Sequence, residues 1–332
     1  MTTAYKVKNV FHPWLAYLGS FFLAIIYGTV LGLSDYFVFK KWAIGKSQGV
    51  IIIIKGIYYF VILAIVFMFI RHVYWDYFVL PQSVELRLLI NEETWSHLFK
   101  FLAIYTLAMG LVVSFINQMN QRFGPGILIP LLLGKYHRPH KEERIFIFLD
   151  LKSSTSIAEK LGHIQYSELI RNCFQDINLA TSHYQAEIYQ YVGDEVVLSW
   201  PVHDDTNPLV VIDFYFECKE TFEGKRDFYL GQFGVVPEFK AGAHIGWVTG
   251  VEVGEIKREM AFHGDTINVA ARIQGLCNEY DADLMISSEL RSRTTFKTRY
   301  NCTRIDDVDL KGKKEKLDLY RISAVQLETK SQ

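Results

Sequence analysis

The chain has 332 residues, 50% of them hydrophobic, and a formal net charge of −1. A nearly neutral chain without a basic block gives no support for nucleic-acid binding, so no nucleic-acid partner is expected. Its four cysteines lack a CxxC pair, which argues against a disulfide framework and a zinc site and is typical of reduced cytosolic thiols.

Three apolar runs in the first 120 residues predict membrane helices. They cover residues 13–33, 49–70 and 98–117, each close to the roughly 20 residues that a helix needs to cross a bilayer. The alternative for each run is a buried helix of a soluble protein, but three such runs so close together favour the membrane. The first run is too long for a cleaved signal peptide and lacks a small-residue cleavage site. Residues 1–120 are therefore predicted to be a transmembrane region in contact with membrane lipid.

Lysines set the expected orientation of these helices. Lys40, Lys41 and Lys46 lie in the first loop, which the positive-inside rule assigns to the cytoplasm. Three crossings then place the amino terminus outside and everything after residue 120 inside. A fourth crossing within residues 73–80 or 126–134 would put the terminus inside, and three crossings are preferred. We expect a multi-pass protein of the inner (plasma) membrane.

Residues 121–143 are predicted to be a linker that couples the membrane region to the rest of the chain. Gly-Pro-Gly at 124–126 breaks any continuous helix, and an apolar patch at 127–133 leads into the polar sequence GKYHRPHKEER.

Residues 144–325 alternate between strand and helix patterns and predict one further domain. Strands are expected at 145–151, 187–191, 195–200, 239–245, 284–286, 303–310 and 317–322, and helices at 156–183, 208–223 and from 266 onward. A hairpin in the middle of this order indicates an α+β fold with a ferredoxin-like βαββαβ core.

Two carboxylates stand out in this domain. Asp150 closes an apolar strand just before small polar residues that lead into a helix, and Asp194 lies in a Gly-Asp turn between two strands. Each has an ordinary explanation, as a helix cap and as a turn residue. Adjacent strands of a βαββαβ core would bring the two side by side, however, and two close carboxylates are costly unless a cation joins them.

A second pair lies on one helix. Asn268 and Arg272 are four residues apart and therefore share a helical face. The planar guanidinium of arginine matches phosphate oxygens, and asparagine can orient a sugar or a nucleophile. A surface ion pair and a capping residue are the alternatives.

Together these segments resemble the class III nucleotidyl cyclases, the adenylyl and guanylyl cyclase family. FLDLKSST at 148–155 is similar to the first metal motif of the family, YVGDE at 191–195 to its second, and HGDTINVAAR at 263–272 to its G-D-x-x-N-x-A-x-R helix. LKGK at 310–313 is similar to its late K-G motif. GKYHRP and YQYVGDE look most like bacterial membrane-anchored members.

The resemblance implies a metal-dependent site. Asp150 and Asp194 would hold two Mg²⁺ or Mn²⁺ ions, with the carbonyl of Leu151 as an added ligand. One metal would lower the pKa of the ribose 3′-hydroxyl so that it attacks the α-phosphorus in line. The backbone N–H groups of a short turn would cradle the β and γ phosphates, namely those of Lys152, Ser153, Ser154 and Thr155.

The remaining roles implied by the resemblance fall further along the chain. Asn268 would orient the ribose, Arg272 would stabilise charge on the α-phosphoryl group, and Lys311 would neutralise the leaving pyrophosphate. Members of the family act as dimers in which one subunit supplies the aspartates and the other the asparagine and arginine. This chain carries both sets, so a homodimer with two equivalent sites is expected.

Base selection departs from the usual family pattern. Gln190 stands where adenylyl enzymes usually have lysine and guanylyl enzymes glutamate, and Ala261 stands where aspartate or cysteine is usual. Glutamine can donate or accept, so it can pair with either purine. ATP is the expected substrate because it is the commoner one in bacteria, with GTP or dual specificity as the alternative. A catalytically degenerate membrane receptor is a further alternative, but it would be expected to lack at least one of the four motif side chains.

Overall fold

A computed structural model describes residues 25, 28–34, 37, 39, 48–69, 71–72, 92–123, 130, 133–256, 258–296, 299–308 and 316–325. The chain divides into two compact units, Met1–Arg122 and Phe123–Gln332, which are described separately.

The first unit contains the long apolar helix α1 (Gln48–Phe69) and all but the last residue of a second one, α2 (Glu92–Phe123). Helix α1 coincides with the predicted run 49–70, and the predicted run 98–117 lies within α2. Both are long and apolar enough to cross a membrane. Large apolar side chains are exposed along them, as expected for lipid contact and not for a soluble core. Of the predicted run 13–33, the structure describes residue 25 and residues 28–33, which are helical, and the rest lies outside the described residues.

The second unit is a mixed α+β domain. Its strands are β1 (His140–Leu151), β2 (Glu187–Val192), β3 (Glu195–Pro201), β4 (Phe239–Val253), β5 (Glu259–His263), β6 (Leu284–Ser287), β7 (Tyr300–Val308) and β8 (Leu317–Ala324). Its helices are α3 (Ser154–His183), interrupted at Gly162, then α4 (Leu209–Gly224), α5 (Arg226–Phe233), α6 (Asp265–Leu276) and α7 (Ser288–Arg293).

One sheet runs through this domain in the order β2-β3-β1-β4-β6-β8-β7, with β5 paired to the far end of β4. Strand β1 is antiparallel to both β3 and β4, and β6 is parallel to β4. The order β2-β3-β1-β4, with α3 and α4 as the connections, is the predicted ferredoxin-like βαββαβ core, so that prediction is confirmed.

The structure also contains elements that the sequence pattern did not predict. Strand β1 begins at His140 and not at residue 145, and β4 continues to Val253. Helix α5 and the short elements β5 and α7 were missed. Strand β5 has 5 residues and α7 has 6, which is too short to show a periodic pattern.

The two faces of β1 serve different purposes. Ile145, Ile147 and Leu149 are fully buried in the main core, which includes residues of α3, α4 and α5. Phe146 and Phe148 point to the other face and pack with Ala270 of α6. Since side chains alternate along a strand, Asp150 lies on the same face as the two phenylalanines, under α6.

Helix α6 lies unusually close to β4 because the strand presents glycine there. A Cβ added to Gly242 would stand 2.1 Å from the backbone nitrogen of Gln274 and 2.8 Å from the carbonyl oxygen of Ala270. No side chain larger than hydrogen fits at this crossing, so the glycine fixes the height of α6 above the sheet.

Candidate active site

Three charged residues form a row across the end of the sheet. Asp150 on β1 is the direct partner of Glu195 on β3 and of Lys240 on β4. Residues directly opposite each other on neighbouring strands project to the same face, so all three side chains lie on the side covered by α6.

The Asp150 carboxylate has two partners, and both contact the same oxygen. Lys240 Nζ lies 3.1 Å from Oδ2, and Gln274 of α6 donates a hydrogen bond from Nε2 to Oδ2 over 3.0 Å. Asp194 follows Gly193, whose φ of 63° shapes the turn between β2 and β3, and precedes Glu195. The structure thus brings Asp150 and Asp194 to the same end of the sheet.

The negative charge at this end is only partly compensated. Burial, together with the charges of Asp150 and Asp194, raises the pKa of Glu195 to about 7, although Lys240 lowers it. Tyr166 on α3 lies beside the same cluster. Burial and the charges of Asp194 and Asp150 raise the pKa of its phenol, against the effect of a hydrogen bond with Ser154. A bound cation would relieve this excess of negative charge.

The donors present suit a hard divalent cation. Within the described residues no three His, Cys, Asp or Glu side chains form a metal-binding group by themselves. Asp150 and Asp194 offer carboxylate oxygens, and the carbonyl of Leu151 lies next to Asp150 in the chain. Mg²⁺ is usually held by one or two carboxylates, with water and substrate phosphates completing its shell, so this oxygen-only set fits Mg²⁺ or Mn²⁺.

The turn after β1 differs in part from the predicted phosphate cradle. The Lys152 N–H donates to the carbonyl of Glu238 over 2.8 Å, and the Lys152 ammonium forms an ion pair with Asp283 and lies 3.6 Å from Glu238. Both groups of Lys152 are therefore committed elsewhere. In this structure the Lys152 N–H is thus engaged with Glu238, and its place in the cradle stays a prediction.

The next three residues keep the features of an anion site. Ser153 has left-handed backbone angles, φ 56° and ψ 28°, and no side chain caps the amino terminus of α3. Ser153 and Thr155 are exposed, and Ser154 is half-buried. An uncapped helix start beside a carboxylate pair can bind phosphate through its N–H groups.

Asn268 and Arg272 lie on α6 but do not face Asp150 of their own chain. Asn268 is exposed and Arg272 is half-buried, whereas Gln274, which touches Asp150, is 7% exposed. Gln274 is about 200° around the helix from Arg272, at about 100° per residue. By the same count Asn268 lies about 120° from Gln274, so neither motif residue shares the side of the helix that contacts Asp150, and one chain does not bring all four predicted side chains together.

The remaining predicted residues take separate positions. Gln190 is exposed on β2 beside a register shift, and Ala261 is half-buried on β5 opposite Val251. Their neighbours meet: the Phe262 N–H donates to the hydroxyl of Tyr189 over 3.4 Å. Lys311 lies outside the described residues.

Three site residues were not identified from the sequence. Glu195 directly follows Asp194, and its carboxylate was not separated from the hairpin motif. Lys240 is a lone charge in the apolar run FKAGAHI, which was a usable signal. Gln274 gave no signal, because it lies off the helical face shared by the two motif residues.

Comparison with known proteins identifies the family of the second unit. Residues 137–324 match the adenylate and guanylate cyclase catalytic domain. Adenylate cyclase 2 of Rhizobium meliloti is 30% identical over 221 residues, which cover 67% of this chain and 61% of that protein. The adenylate cyclase of Anabaena cylindrica is 24% identical over 182 residues, covering 54% of this chain and 36% of that protein. The chain thus spans less than two thirds of the length of these curated relatives.

Solved structures share the fold. The adenylyl cyclase CyaB from P. aeruginosa superposes with a TM-score of 0.50 at 17% identity, over 57% of this chain and 98% of that one. A bacterial light-regulated adenylyl cyclase superposes with a TM-score of 0.54 at 18% identity, over 65% of this chain and 64% of that one. With the family match over residues 137–324, the chain belongs to the adenylate and guanylate cyclase family.

Proposed function

We propose that the protein is a membrane-anchored adenylate cyclase that converts ATP to 3′,5′-cyclic AMP and pyrophosphate in a homodimer with shared sites. The observation that carries the proposal is the meeting of Asp150 and Asp194 at one end of the sheet, beside the uncapped start of α3. In the reaction the ribose 3′-oxygen bonds to the α-phosphorus, the bond from that phosphorus to the β-phosphate oxygen breaks, and the hydroxyl proton passes to solvent.

Each group of the chain has a defined part in this reaction. Asp150 and Asp194, with the Leu151 carbonyl, would hold two Mg²⁺ or Mn²⁺ ions. Such ions acidify a bound hydroxyl and neutralise phosphate charge when present. The N–H groups at the start of α3 bind phosphate oxygens, which positions the triphosphate at the carboxylate end of the sheet. The guanidinium of Arg272 donates hydrogen bonds that stabilise the negative charge developing on the α-phosphoryl group. Asn268 orients the ribose. Lys311 is assigned to the pyrophosphate on its motif alone.

The direction of α6 supports a shared site. Asn268 and Arg272 face away from Asp150 of the same chain, because Gln274 on the other side of the helix contacts that carboxylate. A two-fold dimer that places this exposed side of α6 over the partner's carboxylates completes two identical sites. A monomer is then expected to be inactive.

ATP is the proposed substrate, and GTP is the second candidate. The relatives are named as adenylate cyclases. Gln190 favours neither purine, since its amide can donate or accept, and Ala261 offers no polar group. All four motif side chains are present in the sequence, so a degenerate receptor is the weaker hypothesis.

Helices α1 and α2 support the membrane anchor. Each is long enough to span the hydrocarbon core, and each exposes large apolar side chains. We place the protein in the inner (plasma) membrane as a multi-pass protein with its catalytic domain in the cytoplasm.

The test is direct. The full chain is purified in detergent and incubated with Mn²⁺ and either ATP or GTP, and cyclic nucleotide and pyrophosphate are quantified. Cyclic AMP should form faster than cyclic GMP, and the Asp194→Asn variant should form neither. Faster turnover of GTP would support the second candidate, and the absence of any cyclic product would refute the enzyme.

A further inference from the structure

A lysine lies within the carboxylate cluster formed by Asp150, Asp194 and Glu195. Lys240 is opposite Asp150 in the sheet register, and its side chain is only 12% exposed. A charge on a side chain so little exposed needs a negative partner, because partial removal from water is costly for an unpaired ion. Lys240 finds that partner in the proposed metal ligand.

The two oxygens of Asp150 are not equivalent. Lys240 and Gln274 both contact Oδ2, while Oδ1 has no hydrogen bond or ion pair with any residue that the structure describes. Ligand residues are commonly oriented by neighbours of this kind. Oδ1 is thus left available for a cation, but the nearby ammonium repels any cation that binds there.

We propose that Lys240 is a built-in counter-cation of the metal site, which holds Asp150 in the metal-free protein and weakens its affinity for free divalent ions. This inference rests on the proposed function, because the ions are those of the cyclase site. It has a mechanistic consequence. The four negative charges or so of a nucleoside triphosphate outweigh one ammonium, so the site takes up the metal together with the nucleotide and stays largely empty without it.

The experiment measures Mn²⁺ binding to the full chain in detergent, without nucleotide, from the electron paramagnetic resonance signal of unbound Mn²⁺. Work at about pH 8 keeps the carboxylates ionised. Lys240→Met should tighten Mn²⁺ binding about tenfold, because a unit charge beside a divalent ion is removed from a partly buried site. Lys240→Gln should also tighten Mn²⁺ binding, and it keeps a hydrogen-bond donor for Asp150. This variant replaces Lys240→Met in the test if the methionine variant does not fold. Lys240→Arg, which keeps the charge, should bind Mn²⁺ like the wild type.

A matched control is available at a distant ion pair. Lys225 Nζ lies 2.5 Å from Asp176, whose side chain is 9% exposed. Lys225→Met removes a similar Lys–Asp contact and should leave Mn²⁺ affinity unchanged. Adding Asp150→Asn to Lys240→Met should abolish the gain in Mn²⁺ affinity. That loss would show that the additional binding takes place at Asp150.

The outcomes separate the two proposals. Unchanged or weaker Mn²⁺ binding in both Lys240→Met and Lys240→Gln would overturn the role of Lys240. The proposed function fails instead if the wild type yields no cyclic nucleotide, whatever the binding data show.

Discussion

Gln274 donates a hydrogen bond from Nε2 to Oδ2 of Asp150 over 3.0 Å, and this contact ties helix α6 to the strand that carries a proposed metal ligand. It also fixes the rotation of the helix. Since Gln274 points down to the sheet, Asn268 and Arg272 point outward, toward a surface that a second subunit can cover. In the proposed dimer, the same contact would position one half of the site and direct the other half to the partner chain.

Gln274→Met is expected to reduce cyclase kcat about tenfold. Methionine has nearly the same shape, so the change removes mainly one hydrogen bond to a charged group, worth about 1.5–3 kcal/mol. The check is steady-state kinetics together with thermal unfolding. Gln232→Met on the exposed surface of α5 is the control, and it should change neither kcat nor the thermal midpoint. Wild-type kcat in Gln274→Met would show that the contact is not needed to position Asp150.

Mixing Asp150→Ala chains with Arg272→Ala chains is expected to restore activity that neither variant has alone. Random pairing makes half of the dimers mixed, each with one intact site of two, so about a quarter of wild-type activity should return. The assay is cyclic AMP formation after co-expression with two different affinity tags. If tandem-purified mixed dimers remain inactive, the four residues do not act across a subunit interface.

The fold was predictable because it follows from local patterns. The apolar runs at 145–151 and 195–200 alternate with long helical stretches, and their order specified the βαββαβ core that the structure shows. Asp150 and Asp194 could be paired for the same reason, since adjacent strands of the predicted core bring the end of 145–151 beside the turn before 195–200.

The details of the site depend on contacts between residues that are distant in sequence. The Lys152 N–H donates to the carbonyl of Glu238, and its ammonium pairs with Asp283, which lies 131 positions further along the chain. Lys240 meets Asp150 through the register of β1 and β4, and no local pattern encodes that register. A single charged residue in an apolar strand, such as Lys240, indicates an ion pair. It does not indicate which residue is the partner.

Gly242→Ala is expected to be strongly destabilising and inactive. Its new methyl group would meet the backbone of α6 at 2.1 Å, so the helix that carries Asn268 and Arg272 must move or the strand must distort. Overpacking of this kind costs about 1–3 kcal/mol or more. Gly275→Ala is the matched control, since nothing lies within 4 Å of its added Cβ. It should raise stability by up to about 1 kcal/mol, as alanine favours the helix. Equal thermal midpoints for the two variants would contradict the close crossing.

Asp150→Asn and Asp194→Asn should both abolish activity but change stability in opposite directions. Asp150→Asn leaves the ammonium of Lys240, whose side chain is 12% exposed, without its ion-pair partner, and should destabilise the metal-free protein by about 2–4 kcal/mol. Asp194→Asn removes one of the negative charges that raise the pKa of Glu195. Because repulsion between carboxylates is reduced, this variant should be slightly more stable than the wild type. Thermal unfolding in the presence of a chelator measures both effects. A loss of stability in Asp194→Asn would mean that the carboxylates are not in electrostatic conflict.

Glu142→Gln is expected to destabilise the protein at neutral pH but not in acid. Burial opposes ionisation of Glu142, yet the Arg144 guanidinium and hydrogen bonds from Lys135 and Arg144 outweigh it, so its pKa lies below the ordinary value of 4.5. The ion pair with Arg144, at 2.6 Å, contributes stability that is present above that value and is lost as the pH falls through the lowered pKa. The variant should therefore be about 1–2 kcal/mol less stable than the wild type near pH 7, with the difference shrinking as the pH falls below 4.5 and through the lowered pKa. Urea unfolding across this range provides the measurement, with the exposed Glu159→Gln as control. A difference that stays constant with pH would assign the effect of Glu142 to packing and not to its charge.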